Sequence, residues 1–206
     1  MTNSEMKKAT KKQPFTADTI NFVVKAAAKK DVRFYLNGVR FENDSGFLRL
    51  VSTDGHRLHS VLTDVPLNSD FENFLILAKD NDESLDKIKQ KGKLKFEVLE
   101  DNEIRIGNRV YKADYEARFP EWRMVIFRDE PEDNTFSLGL MPFMNPAQLL
   151  DFSTVLTKLD KSLDINKLDH YWFTADKAQF SLGDNMEVLA VLMPMKYGFK
   201  NKTPKN

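Results

Sequence analysis

Apolar positions recur along this chain in three successive blocks, each joining one helical stripe to short runs of period two. In the first block, Thr16–Lys30 places Ile20, Val23, Val24 and Ala27 on one face at helical spacing. Val32–Leu36 then alternates apolar and polar residues, as a strand does. Asn43-Asp44-Ser45-Gly46 is turn chemistry, followed by a strand over Phe47–Val51 and a third strand over Arg57–Val65.

The second block opens on the apolar run Phe74–Leu77. Asp82 and Glu83 precede Lys87, Lys89 and Lys91, the charge order that a helix dipole favours, and Gly92 suits a C-cap. A second helix is therefore predicted there. Leu94, Phe96 and Val98 alternate with Lys93, Lys95 and Glu97 as a half-buried strand, and Ile104–Tyr115 holds one or two more. In the third block Phe136, Leu138 and Leu140 alternate. Asn145-Pro146 reads as an N-cap followed by proline at the first helical position. Leu149, Phe152, Leu156 and Leu159 form the stripe of that helix, and strands are predicted over Tyr171–Thr174, Ala178–Leu182 and Val188–Met193. A unit of roughly 60 residues thus recurs three times. It predicts an α+β protein with helices on one face of antiparallel sheets.

Composition narrows the function classes. The 206 residues carry 31 Lys+Arg against 31 Asp+Glu, so the chain is no simple polyanion-coating protein, although local basic patches remain open to it. There is no cysteine, which excludes disulfides, thiolate metal sites and cysteine nucleophiles. No apolar run reaches the roughly 20 residues of a membrane helix, and the leading MTNSEMKKATKKQ lacks the apolar stretch of a signal peptide. A soluble, cytoplasmic protein with no membrane partner is expected. Both ends, 1–13 and 198–206, are polar and Lys-rich and are expected to be disordered tails.

Catalytic chemistry has little to rest on. The histidines are His56, His59 and His170, and the His56-x-x-His59 pair falls at a turn into a strand with no third ligand evident. No phosphate-binding loop, nucleophile elbow or dinucleotide fingerprint is present. A non-enzyme without metal or cofactor is expected.

The segment DVRFYLNGVRFENDSGFLRLVSTDGHRL, Asp31–Leu58, resembles the middle domain of the bacterial DNA sliding clamp, the beta subunit of DNA polymerase III. Its specific pieces are YLNG at Tyr35–Gly38 and TDGHRL at Thr53–Leu58. RFPEWRMV at Arg118–Val125 is similar to a segment near the end of that domain, and VLMPM at Val191–Met195 to the family's C-terminus. The four patterns occur in the family's order and span roughly residues 14–196. The resemblance implies one whole clamp domain, 14–129, followed by a single half-module, 130–197, with the family's first domain and the first half of its third not represented. Family clamps form rings of twelve half-modules with helices lining the hole.

Two sites follow from the resemblance. The first is a pocket for the clamp-binding motif of partner proteins, at Leu36, Thr53, Gly55, His56, Arg57, Leu58, Pro120, Val125, Val191 and Met193. Leu, Pro, Val and Met suit a cavity for apolar anchors, and Met adapts to varied ligands. His56 and Arg57 suit the orientation of a peptide backbone or a glutamine side chain. The second is a DNA-facing surface of lysines on or beside the helices: Lys25, Lys29, Lys30, Lys87, Lys89, Lys91, Lys158 and Lys161. A sliding protein needs loose phosphate attraction without base reading. The implied partners are double-stranded DNA, a DNA polymerase and other motif-bearing proteins, a clamp loader, and further copies of the chain, four of which would complete a ring. A non-encircling adaptor or competitor that occupies the same partners is the other reading open to the sequence.

Overall fold

A computed structural model describes residues 12–79, 84–129, 145–151, 170–174, 177–183 and 186–193. The strand expected at Phe136–Leu140, the helix positions Asp82, Glu83, Phe152, Leu156 and Leu159, and the lysines Lys158 and Lys161 lie outside them. So do residues 1–11 and 198–206.

Helix α1, Ala17–Ala26, starts at Thr16, whose hydroxyl accepts from the backbone N–H of Thr19 at 3.2 Å. It ends four residues before the expected Lys30. The Lys79 ammonium donates to the Ala27 carbonyl at 2.7 Å, and the Ala28 N–H is drawn to Leu36 O at 2.8 Å. These tertiary partners take over the last turn's polar groups and peel the chain away.

Among the described residues ten strands follow: β1 Gly38–Asp44, β2 Phe47–Thr53, β3 Arg57–Pro66, β4 Phe74–Leu77, β5 Phe96–Val98, β6 Glu103–Ile106, β7 Arg109–Lys112, β8 His170–Phe173, β9 Ala178–Leu182 and β10 Val188–Leu192. They form a seven-stranded sheet in the order β4-β1-β2-β3-β10-β9-β8 and a three-stranded sheet, β5-β6-β7. Each pairing between these strands is antiparallel. The strands of the third block thus extend the sheet of the first, with β10 paired directly to β3. No helix among the described residues is long and apolar enough to cross a membrane.

Period-two alternation sorts the large sheet into two faces. Leu48, Leu50, Val61, Val188, Ala190 and Phe180 belong to the main core, together with Phe22 and Val23 of α1 and Ile104 and Ile106 of the small sheet. Val51, Leu58, Leu189 and Val191 face the other way and meet Trp122 in a second, smaller cluster. Burial on both faces explains why β9 and β10 are buried at every position.

Three expectations fail locally. Val32–Leu36 is not a strand: a 3-10 turn covers Phe34–Asn37, Leu36 is buried, and Val32 and Phe34 are 97% and 60% exposed. The Asp31 carboxylate grips the Arg33 side chain at 2.9 and 3.0 Å, and Asn37 bonds back to Asp31, so the segment closes on itself. Among the described residues, the second helix is reduced to a 3-10 turn, Leu85–Lys87, followed by irregular chain. That chain runs alongside α1. Asp86 N–H bonds Ala78 O near its C-terminal end, and Leu94 N–H bonds Phe15 O near its N-terminal end. Burial of Leu85, Ile88 and Leu94 against the core is met by an extended path. Gln13, expected in the leading tail, is buried and exchanges hydrogen bonds with Leu62 and Asp64 of β3. The third-block helix does begin as its Asn-Pro pair predicts. Residues 146–151 are helical, and the Asn145 side chain accepts from Ala147 N–H at 3.0 Å.

Candidate docking pocket

The ends of β2, β3 and β10 meet at one corner of the large sheet. Thr53 is the register partner of Leu58, and Leu58 is the register partner of Val191, so three adjacent strands present these side chains abreast. The β2–β3 turn projects beyond them. Asp54 organises it: its carboxylate accepts from the backbone N–H groups of His56 and Arg57 at 2.9 and 3.0 Å and from Arg57 Nε at 3.0 Å. Gly55 takes φ +89° there, a conformation that other residues rarely adopt. Thr53 Oγ1 donates to Arg57 O at 2.7 Å, and Met193 N–H donates to His56 O at 2.8 Å, tying the turn to the chain after β10.

Two 3-10 turns wall the corner. Phe34–Asn37 contributes Leu36, and Trp122–Val125 lies across the outer face of the sheet and contributes Val125. A cavity of about 200 Å³ results, the space of a side chain or two. All ten residues expected from the sequence line it: Leu36, Thr53, Gly55, His56, Arg57, Leu58, Pro120, Val125, Val191 and Met193. Leu36, Leu58 and Val191 are almost fully buried and form its apolar floor, whereas Gly55, His56 and Pro120 are exposed at its rim.

Sequence reasoning missed Arg33, Tyr35, Glu121 and Trp122, which also line the cavity. Trp122 stood within RFPEWRMV and was the one with a visible signal. Its ring is held from behind. Trp122 Nε1 donates to the buried Glu42 carboxylate at 3.3 Å, and the Arg123 guanidinium lies 4.3 Å from its ring centre while pairing with Glu42 at 2.7 Å. Below it the buried Arg49 pairs with Asp44 and donates to Ser60 Oγ at 3.0 Å. Burial pushes the Asp44 carboxyl up, but Arg49 and Arg123 outweigh it and hold it below the usual carboxylate range.

Arg57 differs from its expected role. Its guanidinium does not stand free to orient a ligand, because it is 14% exposed and bonded to Asp54 and, at 3.1 Å, to Asp151. A larger groove of about 750 Å³ lies elsewhere, between the 66–72 loop and β5, and includes none of the ten residues.

Six of the eight lysines expected to face DNA lie among the described residues, on or beside α1 and the 3-10 turn Leu85–Lys87. Lys25 is on α1 and pairs with Asp151 at 3.2 Å, and Lys87 pairs with Asp86 at 3.2 Å. Lys29 and Lys30 are exposed in the loop beyond α1, with Lys30 at φ +56°. Lys89 and Lys91 are exposed on the irregular chain beside α1. No cluster of three or more metal-ligating side chains occurs among the described residues.

The family model for the DNA polymerase III beta subunit, central domain, matches residues 11–120, more than half of the chain. The chain belongs to the DNA polymerase III beta subunit family. Its curated relatives include the beta sliding clamps of Haemophilus influenzae, 30% identical over 117 residues, and of Escherichia coli K12, 32% identical over 104 residues. These matches cover 50% and 48% of this chain but only 29% and 28% of the relatives' length. Solved sliding-clamp structures share the fold over more of the chain. The DNA polymerase III subunit beta of Pseudomonas aeruginosa superposes with a TM-score of 0.61 at 18% identity, covering 93% of this chain and 69% of that one. The subunit from Borrelia burgdorferi, in complex with a natural product, gives 0.64 at 15% identity over 88% of this chain and 62% of that one. The family match ends at Pro120, so Val125, Val191 and Met193 lie beyond it and join the pocket through the fold.

Proposed function

We propose that this protein acts as a DNA sliding clamp-like processivity factor, a non-enzymatic platform in the cytoplasm that docks DNA polymerases and other partners through the β2–β3–β10 corner pocket. The observation that carries this reading is the convergence of all ten expected residues on one cavity, from segments up to 157 positions apart in sequence (Leu36 to Met193). The occupant is a short partner peptide with a glutamine followed a few residues later by Leu and Phe. Burying each apolar anchor contributes roughly 1.5–3 kcal/mol, and ordering the peptide offsets part of it, so affinity near the micromolar range is expected.

Isothermal calorimetry with such a peptide tests the reading. Met193→Asp puts a carboxylate into the apolar cavity and should eliminate binding, whereas Leu58→Ala should weaken it by removing floor. No heat at millimolar peptide, or equal binding by a folded Met193→Asp variant, refutes the assignment.

A further inference from the structure

Arg57 lines two cavities at once. On one side is the docking pocket; on the other is a space of about 440 Å³ against α1, bounded also by Lys25, Lys79 and Asp151. Its guanidinium is held from both directions, by Asp54 within the turn and by Asp151 from the helical stretch 146–151. The other oxygen of Asp151 accepts from Lys25 of α1 at 3.2 Å. A continuous chain of ion pairs therefore runs Lys25–Asp151–Arg57–Asp54 and ends on the carboxylate that shapes the pocket turn.

We infer that Asp151 is a positioning residue for the docking pocket, setting Arg57 and through it the Asp54–Arg57 turn. The inference rests on the docking function proposed above. The pairs are of uneven exposure: Arg57 is 14% exposed, Asp151 34% and Lys25 48%. Arg57 is the member in the low-dielectric position and has most to lose when a partner is removed. Without Asp151, the guanidinium keeps one carboxylate instead of two and is free to swing across the pocket wall. The turn then loses its tether to the helical stretch 146–151, although Met193 N–H still bonds His56 O. Asp151 does not line the pocket, and its bond to a lining residue is to Arg57, so its influence on a ligand passes through that guanidinium.

The test uses the full chain and an uncharged synthetic peptide with blocked ends, carrying the glutamine, Leu and Phe anchors among Ser and Gly. Such a ligand has no charge of its own, so any salt dependence of its binding reports on ion pairs in the protein. The parent should bind several-fold more weakly at high salt than at low salt. Asp151→Asn should bind roughly fivefold more weakly than the parent at low salt, the size of one partly exposed ion pair, and should lose most of the salt dependence. Asp151→Glu, which keeps the charge, should recover both. Thermal unfolding establishes that each variant is folded. Parent-like affinity in Asp151→Asn, or weakened binding with the salt dependence intact, overturns the positioning role while leaving the pocket in place. No binding by the parent overturns the docking reading and this inference together.

Discussion

His59 shows how one side chain records the packing around it. It points from β3 into the main core, stacks on Phe22 with ring centres 4.5 Å apart, and has Nδ1 2.7 Å from the Phe22 carbonyl oxygen. Burial pushes its pKa down to about 4, against 6.5 for a free histidine. The unfolded chain therefore binds the proton more readily, and stability rises with pH between these values. The contribution is complete above about pH 6.5 and is lost as the pH falls toward 4. Its size is on the order of 3 kcal/mol, from the distance between 6.5 and about 4 on the pH scale. Denaturant unfolding from pH 7.5 to 4 should show this decline, and His59→Phe, which keeps the stack, should flatten it. An unchanged slope in that variant would assign the acid sensitivity to other groups. None of this was legible in the sequence, where His59 stood out only as half of a metal-like pair that the structure turns into the core.

At the scale of elements, the sequence reported several strands, missed β1 over Gly38–Asp44, and placed the neighbouring elements poorly. β2, β3, β9 and β10 announced themselves through apolar runs bounded by turn residues. Val32–Leu36 misled because a few alternating residues also fit a 3-10 turn with one buried side chain. The second helix misled because burial of Leu85, Ile88 and Leu94 needs a chain lying along α1, whatever its conformation. The pairing of β10 with β3 was beyond local pattern, since Val191 and Leu58 are 133 positions apart. The pocket was nevertheless legible through its resemblance to a known family, and Gly38 of YLNG shows the physics behind one such motif. Gly38 on β1 sits so close to the Leu75 side chain on β4 that any Cβ there would collide with it. Leu75 is 5% exposed and has little room to yield. Gly38→Ala should therefore cost about 1–3 kcal/mol by overpacking. Leu75→Ala is costly alone, but the double variant should be more stable than the sum of the two predicts. Strict additivity in denaturant titrations would mean that the contact is not what requires glycine.

For the whole molecule, the proposed clamp role makes demands on assembly and on charge. Among the described residues β8 forms one edge of the large sheet and β4 the other, and an edge strand can pair with a further strand. Pairing of third blocks about a twofold axis, and of two such dimers, would complete a ring of four chains. Light scattering at high protein concentration should then give a multiple of the 23.8 kDa chain mass. A strictly monomeric mass would favour an adaptor that occupies clamp partners without enclosing DNA. The enclosing reading makes a separate demand on charge. Net charge is zero, so attraction to phosphate must come from local lysines rather than from the chain as a whole. Lys29, Lys30, Lys89 and Lys91 are exposed in the chain beyond and beside α1, and they are the proposed phosphate contacts. Their positions beyond and beside α1 suit loose contact with a sequence-independent backbone. Binding to duplex DNA should be weak and should fall steeply as salt rises, because each neutralised phosphate releases counterions. Reversing these four lysines to glutamate should abolish retention on circular DNA while leaving the peptide pocket's affinity unchanged, since none of them lines that cavity. Retention equal to the parent's in the quadruple variant would move the DNA contact to another surface, and no retention by the parent at low salt would leave the protein as a docking platform alone.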